Sequence, residues 1–216
     1  MQMAANIRRY KGVRPIPELH GTTPIQIDGE FADWAIAAVE YRDTVGDTTH
    51  RDYNGYGGLH YKNDSGRNDI VTCKVAVDDT NVYFYAETKQ PLTPHTGKNW
   101  MLLLIDADKN HDTGWYGYDF LVNEKIVDDK TTTLMRYDAK AADTPWVTKG
   151  QVSYRYAGNA LELSISRDAL DLGGDTLTFD FHWCDNPVDL HDPISLCTDG
   201  DSAPNRRFNY RCVWRR

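Results

Sequence analysis

Ile70-Val71-Thr72-Cys73-Lys74-Val75-Ala76-Val77-Asp78-Asp79-Thr80-Asn81-Val82-Tyr83-Phe84-Tyr85-Ala86-Glu87-Thr88 alternates with a period of two on both sides of a polar break. Val71, Cys73, Val75 and Val77 share one face of the first half, so Cys73 points inward as a small apolar residue. In the second half Val82, Phe84 and Ala86 lie opposite Tyr83, Tyr85 and Glu87. Successive side chains of a strand point to opposite faces, so this pattern predicts two half-buried strands. Asp78-Asp79-Thr80-Asn81 supplies turn-forming side chains between them, which makes the pair a hairpin.

The same period returns further along the chain. Val152, Tyr154 and Tyr156 alternate, Gly158-Asn159 turns, and Leu161, Leu163 and Ile165 alternate back. Leu177, Phe179, Phe181 and Trp183 mark another strand facing the core. Asn99–Ile105 reads as an apolar central strand, with Gly117–Lys125 and Thr131–Tyr137 as its successors. Ile25–Ile27 reads as a short strand entering a turn at Asp28-Gly29, and Ser166–Leu170 as a single helical turn. Roughly nine or ten strands at such intervals predict an all-β fold, an antiparallel two-sheet β-sandwich of jelly-roll or immunoglobulin-like type. It forms one domain over residues 25–216, after an arm at 1–24 that holds Pro15, Pro17 and Pro24. Residues 42–68 and 185–209 are long irregular loops, rich in Asp, Gly, Asn and Tyr or Pro, and loops of that length inside a domain are usually functional or mobile.

Composition narrows the partners. The chain has 216 residues, 40% of them hydrophobic, which is enough for one substantial core. A net charge of −8, with the basic residues dispersed, argues against nucleic acid, whose phosphates need a basic stripe. No apolar run has the length to cross a bilayer. The opening MQMAANIRRYKG has no apolar signal segment, so the expectation is a leader already trimmed or never present, and a chain excised from something longer. Cys184, Cys197 and Cys212 lie close enough in sequence for a disulfide in an oxidising compartment, and none has zinc-finger spacing.

After the apolar run Trp100–Ile105 comes Asp106-Ala107-Asp108-Lys109-Asn110-His111-Asp112. Asp106, Asp108, Asn110 and Asp112 place four oxygen-bearing side chains at alternate positions, the spacing with which a loop wraps a calcium ion. Gly117 stands where a closing bidentate Glu belongs, so an Asx-rich turn between two strands explains the same residues. Just beyond, Trp115, Tyr116 and Tyr118 are the candidate exposed rings. Trp34 and Trp183 read as core, Trp146 as cover for a sheet edge, Trp214 as tail, and Trp100 as undecided. A second polar group gathers His182, Asp185, Asn186, Asp189, His191, Asp192, Asp199, Asp201, Asn205 and Arg206, which reads as a solvated loop or as a polar site for sugar hydroxyls or an ion, with His182 pointing away from the Trp183 face toward solvent or a cleft. No acid sits in an apolar setting that would protonate it for glycoside hydrolysis, and no nucleophile elbow or phosphate loop occurs. His60, His95, His111, Met101 and Met135 offer no convincing axial pair for haem.

Three motifs, IDGEFADW near the start, KVAVDDTNVYFYAET in the middle and NALELSISRDAL near the end, together resemble the β-sandwich domains of family 9 carbohydrate-binding modules and their DOMON-like relatives. The later pieces IDADKNHDTGWYGYDFLVN, FDFHWCDN and GDSAPNRRFNY are similar to a subgroup appended to glycoside-degrading enzymes. This resemblance implies a non-catalytic module that binds a polysaccharide or oligosaccharide and carries a structural calcium. It further implies an extracellular or periplasmic setting beside a parent catalytic domain. The ligand contacts expected are Trp115, Tyr116, Tyr118, His182, Asp185, Asn186 and Arg206. The alternatives are a structural sandwich that packs on a catalytic domain without binding sugar, and a glycoside hydrolase.

Overall fold

The computed structural model describes residues 15–48, 51–141, 145–206 and 208–216, so most of the expected arm lies outside it. In chain order the strands begin with β1 (Glu18–His20), β2 (Glu40–Arg42), β3 (Arg51–Asn54), β4 (His60–Asn63), β5 (Ile70–Val77), β6 (Asn81–Thr88) and β7 (Leu102–Asp106). They continue with β8 (Phe120–Ile126), β9 (Thr131–Tyr137), β10 (Trp146–Ala157), β11 (Ala160–Ser166), β12 (Thr176–Asp185), β13 (Asp201–Ala203) and β14 (Tyr210–Arg215). Among the described residues helix is confined to 3-10 turns at Phe31–Ile36 and Tyr56–Gly58 and one α turn, α1 (Ser195–Thr198). None is long or apolar enough to cross a membrane. The chain is all-β, as its alternation predicts.

Hydrogen bonding runs unbroken in the order β1-β14-β12-β7-β8-β9-β10-β11-β6-β5-β2, with β13 paired to β12 off this path. The pairs are antiparallel except β1 with β14, which makes the sheet mixed. Wide sheets twist, and this one curls until distant strands face each other. The Tyr41 ring on β2 meets Phe181 of β12 edge-on at 5.0 Å between centroids, and Phe84 of β6 meets the same ring at 5.7 Å. Val75, Val77, Leu103, Ile105, Leu161 and Phe179 fill the space between. The opposed layers expected of a sandwich are thus segments of one mixed sheet, and β3 with β4 forms a small second sheet.

Several local differences have physical causes. A register shift between Ile70 and Thr72 turns Ile70 inward where simple alternation put Val71. The expected apolar strand from Asn99 starts only at Leu102, because Asn99 and Met101 adopt φ of 50° and 43°. Asp185 Oδ1 holds that bend by accepting the Met101 N–H at 2.9 Å. Trp214 is no loose tail: it sits in β14, buried, and its indole N–H donates to the Gly21 carbonyl. Trp146 opens β10 opposite Tyr137 of β9, in the stretch before β11 joins the other side of the strand at Ser153.

The expected strand at Ile25–Ile27 does not form. Residues 25–37 instead lie across the outer face of β6 and β11, where Ile25, Trp34 and Ala37 cover Tyr83, Tyr85 and Ala160. One buried carboxylate anchors them. Glu162 Oε1 accepts the Asp28 and Gly29 N–H groups at 3.0 and 2.8 Å, and Oε2 accepts the Trp34 indole N–H at 2.8 Å. Glu162→Ala leaves all three donors without their acceptor and is expected to cost about 3 kcal/mol. A urea titration checks this through a lower midpoint at unchanged slope. A wild-type midpoint would mean that packing alone holds the segment.

Candidate functional site

The acidic loop joins β7 to β8, which pair with Ile105 opposite Phe120. That pairing sets Asp119 beside Asp106, and the ligand atoms of Asp106, Asp108 and Asp119 lie within 4.8 Å of one another. Asp112, expected from the alternate spacing, is not in that group. Asn110 Oδ1 accepts the Asp112 N–H at 3.1 Å, and the exposed Asp112 carboxylate lies 3.4 Å from His111 Nε2. Local amides already occupy the cluster. Lys109 N–H donates to Asp106 Oδ1 at 2.6 Å, Asn110 N–H to Asp108 Oδ1 at 2.8 Å and Ala107 N–H to Asp119 Oδ2 at 2.9 Å. These are the bonds of an Asx-rich turn. Burial first, then the neighbouring Asp119 charge, pushes the Asp106 carboxyl up to about 6.

The candidate rings divide by exposure. Trp115 is only 6% exposed, because its bridge to Tyr118 turns the indole in over Leu102, Leu104 and Leu121. Tyr118 is buried too, and its hydroxyl donates to Asn209 Oδ1 at 2.7 Å. Tyr116, at φ 53°, projects outward. It lines a cleft of about 200 Å³ with Asp106, His111, Tyr118 and Arg206.

The second polar group divides: His182, Asp185 and Asp201 are buried, while Asp189, His191, Asp192 and Arg206 are exposed. His182, expected to face solvent or a cleft, is fully buried between the Tyr118 ring and the Phe208 carbonyl. Asp185 is fully buried and structural: Arg67 Nε donates to Oδ2 at 2.6 Å and Asn68 Nδ2 to Oδ1 at 3.0 Å. Asn186 sits half-buried at φ 61°, its N–H donating to the Asn99 carbonyl. Arg206 remains exposed. Cys184 and Cys212 are buried thiols, and the disulfide allowed among the last three cysteines is not formed.

The region read as an irregular loop at 42–68 contains the most accessible aromatic surface. It folds into the β3–β4 hairpin, with Tyr53 opposite Tyr61. Their rings lie 14° from parallel at 5.2 Å. The other face of Tyr61 is closed by Gly55, where any Cβ would collide with the ring. Tyr53 keeps its outer face open, and Tyr56 on the connecting turn is 96% exposed. These rings border a groove of about 330 Å³ that also takes in Asp47, Asn205 and Arg206. Arg206 lines both this groove and the Tyr116 cleft. Tyrosine content and loop length signalled the region in the sequence. The hairpin did not show, since Arg51–Asn54 and His60–Asn63 have no apolar alternation.

No family model, curated protein or solved structure matches the chain.

Burial holds the His182 imidazole down to about 4, against an ordinary 6.5, and its Nδ1–H donates to the Phe208 carbonyl. Between those pH values the unfolded chain binds a proton that the fold refuses. The stability from neutral His182 is therefore complete above about pH 6.5 and falls toward pH 4, by about 3 kcal/mol. His182→Asn keeps a donor for Phe208 and is expected to remove that slope. Melting curves at pH 4.5 and pH 7, compared with wild type, check it; buried acids titrate with the opposite sign, but equally in both proteins. An unchanged slope would reject the assignment.

Proposed function

We propose that this chain is a non-catalytic carbohydrate-binding domain, accessory to a secreted glycan-degrading enzyme and working outside the cell or in the periplasm. The observation that carries this reading is the tyrosine-bordered groove on the β3–β4 hairpin. A pyranose has an apolar face that packs on a phenol ring, while its hydroxyls need amide, guanidinium and carboxylate partners. Tyr53 and Tyr56 offer the rings, and Asn205, Arg206 and Asp47 line the same groove. Small-molecule sites commonly combine a concave wall with a few polar groups in this way. The resemblance to family 9 carbohydrate-binding modules points in the same direction. Calcium belongs to the proposal as a structural ion, with Asp106, Asp108 and Asp119 as oxygen donors in the acidic loop.

Both tyrosines are exposed, so truncating them is expected to leave the melting temperature unchanged. Tyr53→Ala and Tyr56→Ala should each weaken polysaccharide binding at least about tenfold, or roughly 1.4 kcal/mol. Isothermal titration and affinity electrophoresis against plant and algal polysaccharides are the measurements, with Tyr116→Ala to test the neighbouring cleft. Silence across the panel, or wild-type affinity in both hairpin variants, would sink the reading. Glycan turnover by the purified chain would replace it with a hydrolase.

A further inference from the structure

Four carboxylates far apart in sequence meet beneath the hairpin. Asp43 follows β2, Asp47 lies in the next turn, Asp69 precedes β5 and Asp201 opens β13. The ligand atoms of Asp43, Asp47 and Asp201 all lie within 4.8 Å of one another. Two oxygens bound to one calcium at about 2.4 Å can stand at most about 4.8 Å apart, so the spacing suits a shared ion.

Their hydrogen bonding sets this group apart from the acidic loop. Asp43 Oδ2, both Asp47 oxygens and Asp69 Oδ1 are buried and accept no hydrogen bond from any described residue. Asp69 is only 4% exposed; the Asp47 charge acts on it, and its own charge acts on Asp201. The Tyr210 hydroxyl, also buried and without a partner among the described residues, lies within electrostatic reach of Asp43, Asp47 and Asp201. Buried polar atoms are nearly always paired, and a group of orphaned carboxylate oxygens marks a place where a cation belongs.

Described side chains supply little countercharge. Lys89 Nζ stands 3.9 Å from Asp69 Oδ2 and is itself half exposed. Arg51 directs its guanidinium to carbonyls instead, donating to Asp47 O at 2.9 Å, Cys197 O at 3.2 Å and Gly200 O at 3.1 Å.

We infer that Asp43, Asp47 and Asp201 form a buried calcium site, with the orphaned Asp69 carboxylate beside it, distinct from the acidic loop and independent of the sugar reading. The donors are hard carboxylate oxygens, which disfavours a soft metal. Several anionic oxygens in one buried cluster suit calcium, whereas magnesium retains water and demands a tighter octahedron. An ion here would tie β2 and β13 to the turn that leads into β3.

The test is isothermal titration of the chelator-treated full chain with calcium chloride alone, beside melting curves at rising calcium. The wild type is expected to bind calcium and to melt at progressively higher temperature. Asp47→Asn should weaken that binding at least about tenfold, and because neither Asp47 oxygen holds a described hydrogen bond, the variant keeps the fold. Asp43→Asn serves as a second probe, and Asp108→Asn, which disables the acidic loop alone, should still take up the calcium equivalent that Asp47→Asn loses. No calcium uptake, wild-type affinity in Asp47→Asn, or loss confined to Asp108→Asn would overturn the proposal. An equal effect from magnesium would overturn the choice of ion. Sugar is absent throughout, so the outcome is separable from the carbohydrate reading.

Discussion

A carboxylate taken out of water must find donors or a cation, and this chain buries several of them. Glu162 is satisfied by two backbone N–H groups and an indole, and so fastens residues 25–37 to the outer face of β11. Asp185 is satisfied by Arg67, Asn68 and the Met101 N–H, and so holds the bend before β7. Asp106 and Asp119 are satisfied by amides of their own loop. Breaking such an arrangement leaves an uncompensated charge inside the protein, which is far more costly than the pair is stabilising. The group at Asp43, Asp47, Asp69 and Asp201 stands apart because its described surroundings do not complete it.

Period-two alternation made much of the sheet legible. β5, β6, β9 and β11 fall within a residue or so of where Ile70–Thr88, Thr131–Tyr137 and Leu161–Ile165 place them. The signal reports which way a side chain points, not which strand lies beside it, so a two-layer arrangement and a single curled sheet read alike. It also fails where strands are short and polar, as in β3 and β4, or where φ turns positive at Asn99 and Met101. In the candidate site, the loop spacing found Asp106 and Asp108 but not Asp119, which only strand pairing brings near. Asp201 stands in the second polar group of the sequence, but only the fold brings it to Asp43 and Asp47, which share no local pattern with it.

Aromatic residues misled in an instructive way. The sheet buries its inner face in one core, and its outer face is covered twice over, by Trp34 above β6 and by Trp115 and Trp146 above β7 and β8. Large rings are efficient covers because each removes so much apolar area from water. The tryptophans are therefore largely committed to packing, and Trp115 follows them inward. Tyrosines on a hairpin outside the main sheet escape that demand. Tyr56 stays almost fully exposed and Tyr53, stacked on Tyr61, more than half exposed, leaving ring surface available to an external partner.

The hairpin is nonetheless tied to the buried acids through a short run of chain. Asp43 and Asp47 stand at one end of it and Tyr53 at the other, with Arg51 between them. The Arg51 guanidinium clamps the Asp47 carbonyl to those of Cys197 and Gly200, next to Asp201. Asn205, which lines the tyrosine groove, donates its Nδ2 to Asp43 Oδ1 at 2.8 Å. Asp47 lines the groove and belongs to the acidic cluster, and Asn205 lines it while bonding Asp43, so the same residues border the aromatic surface and the carboxylates beneath it.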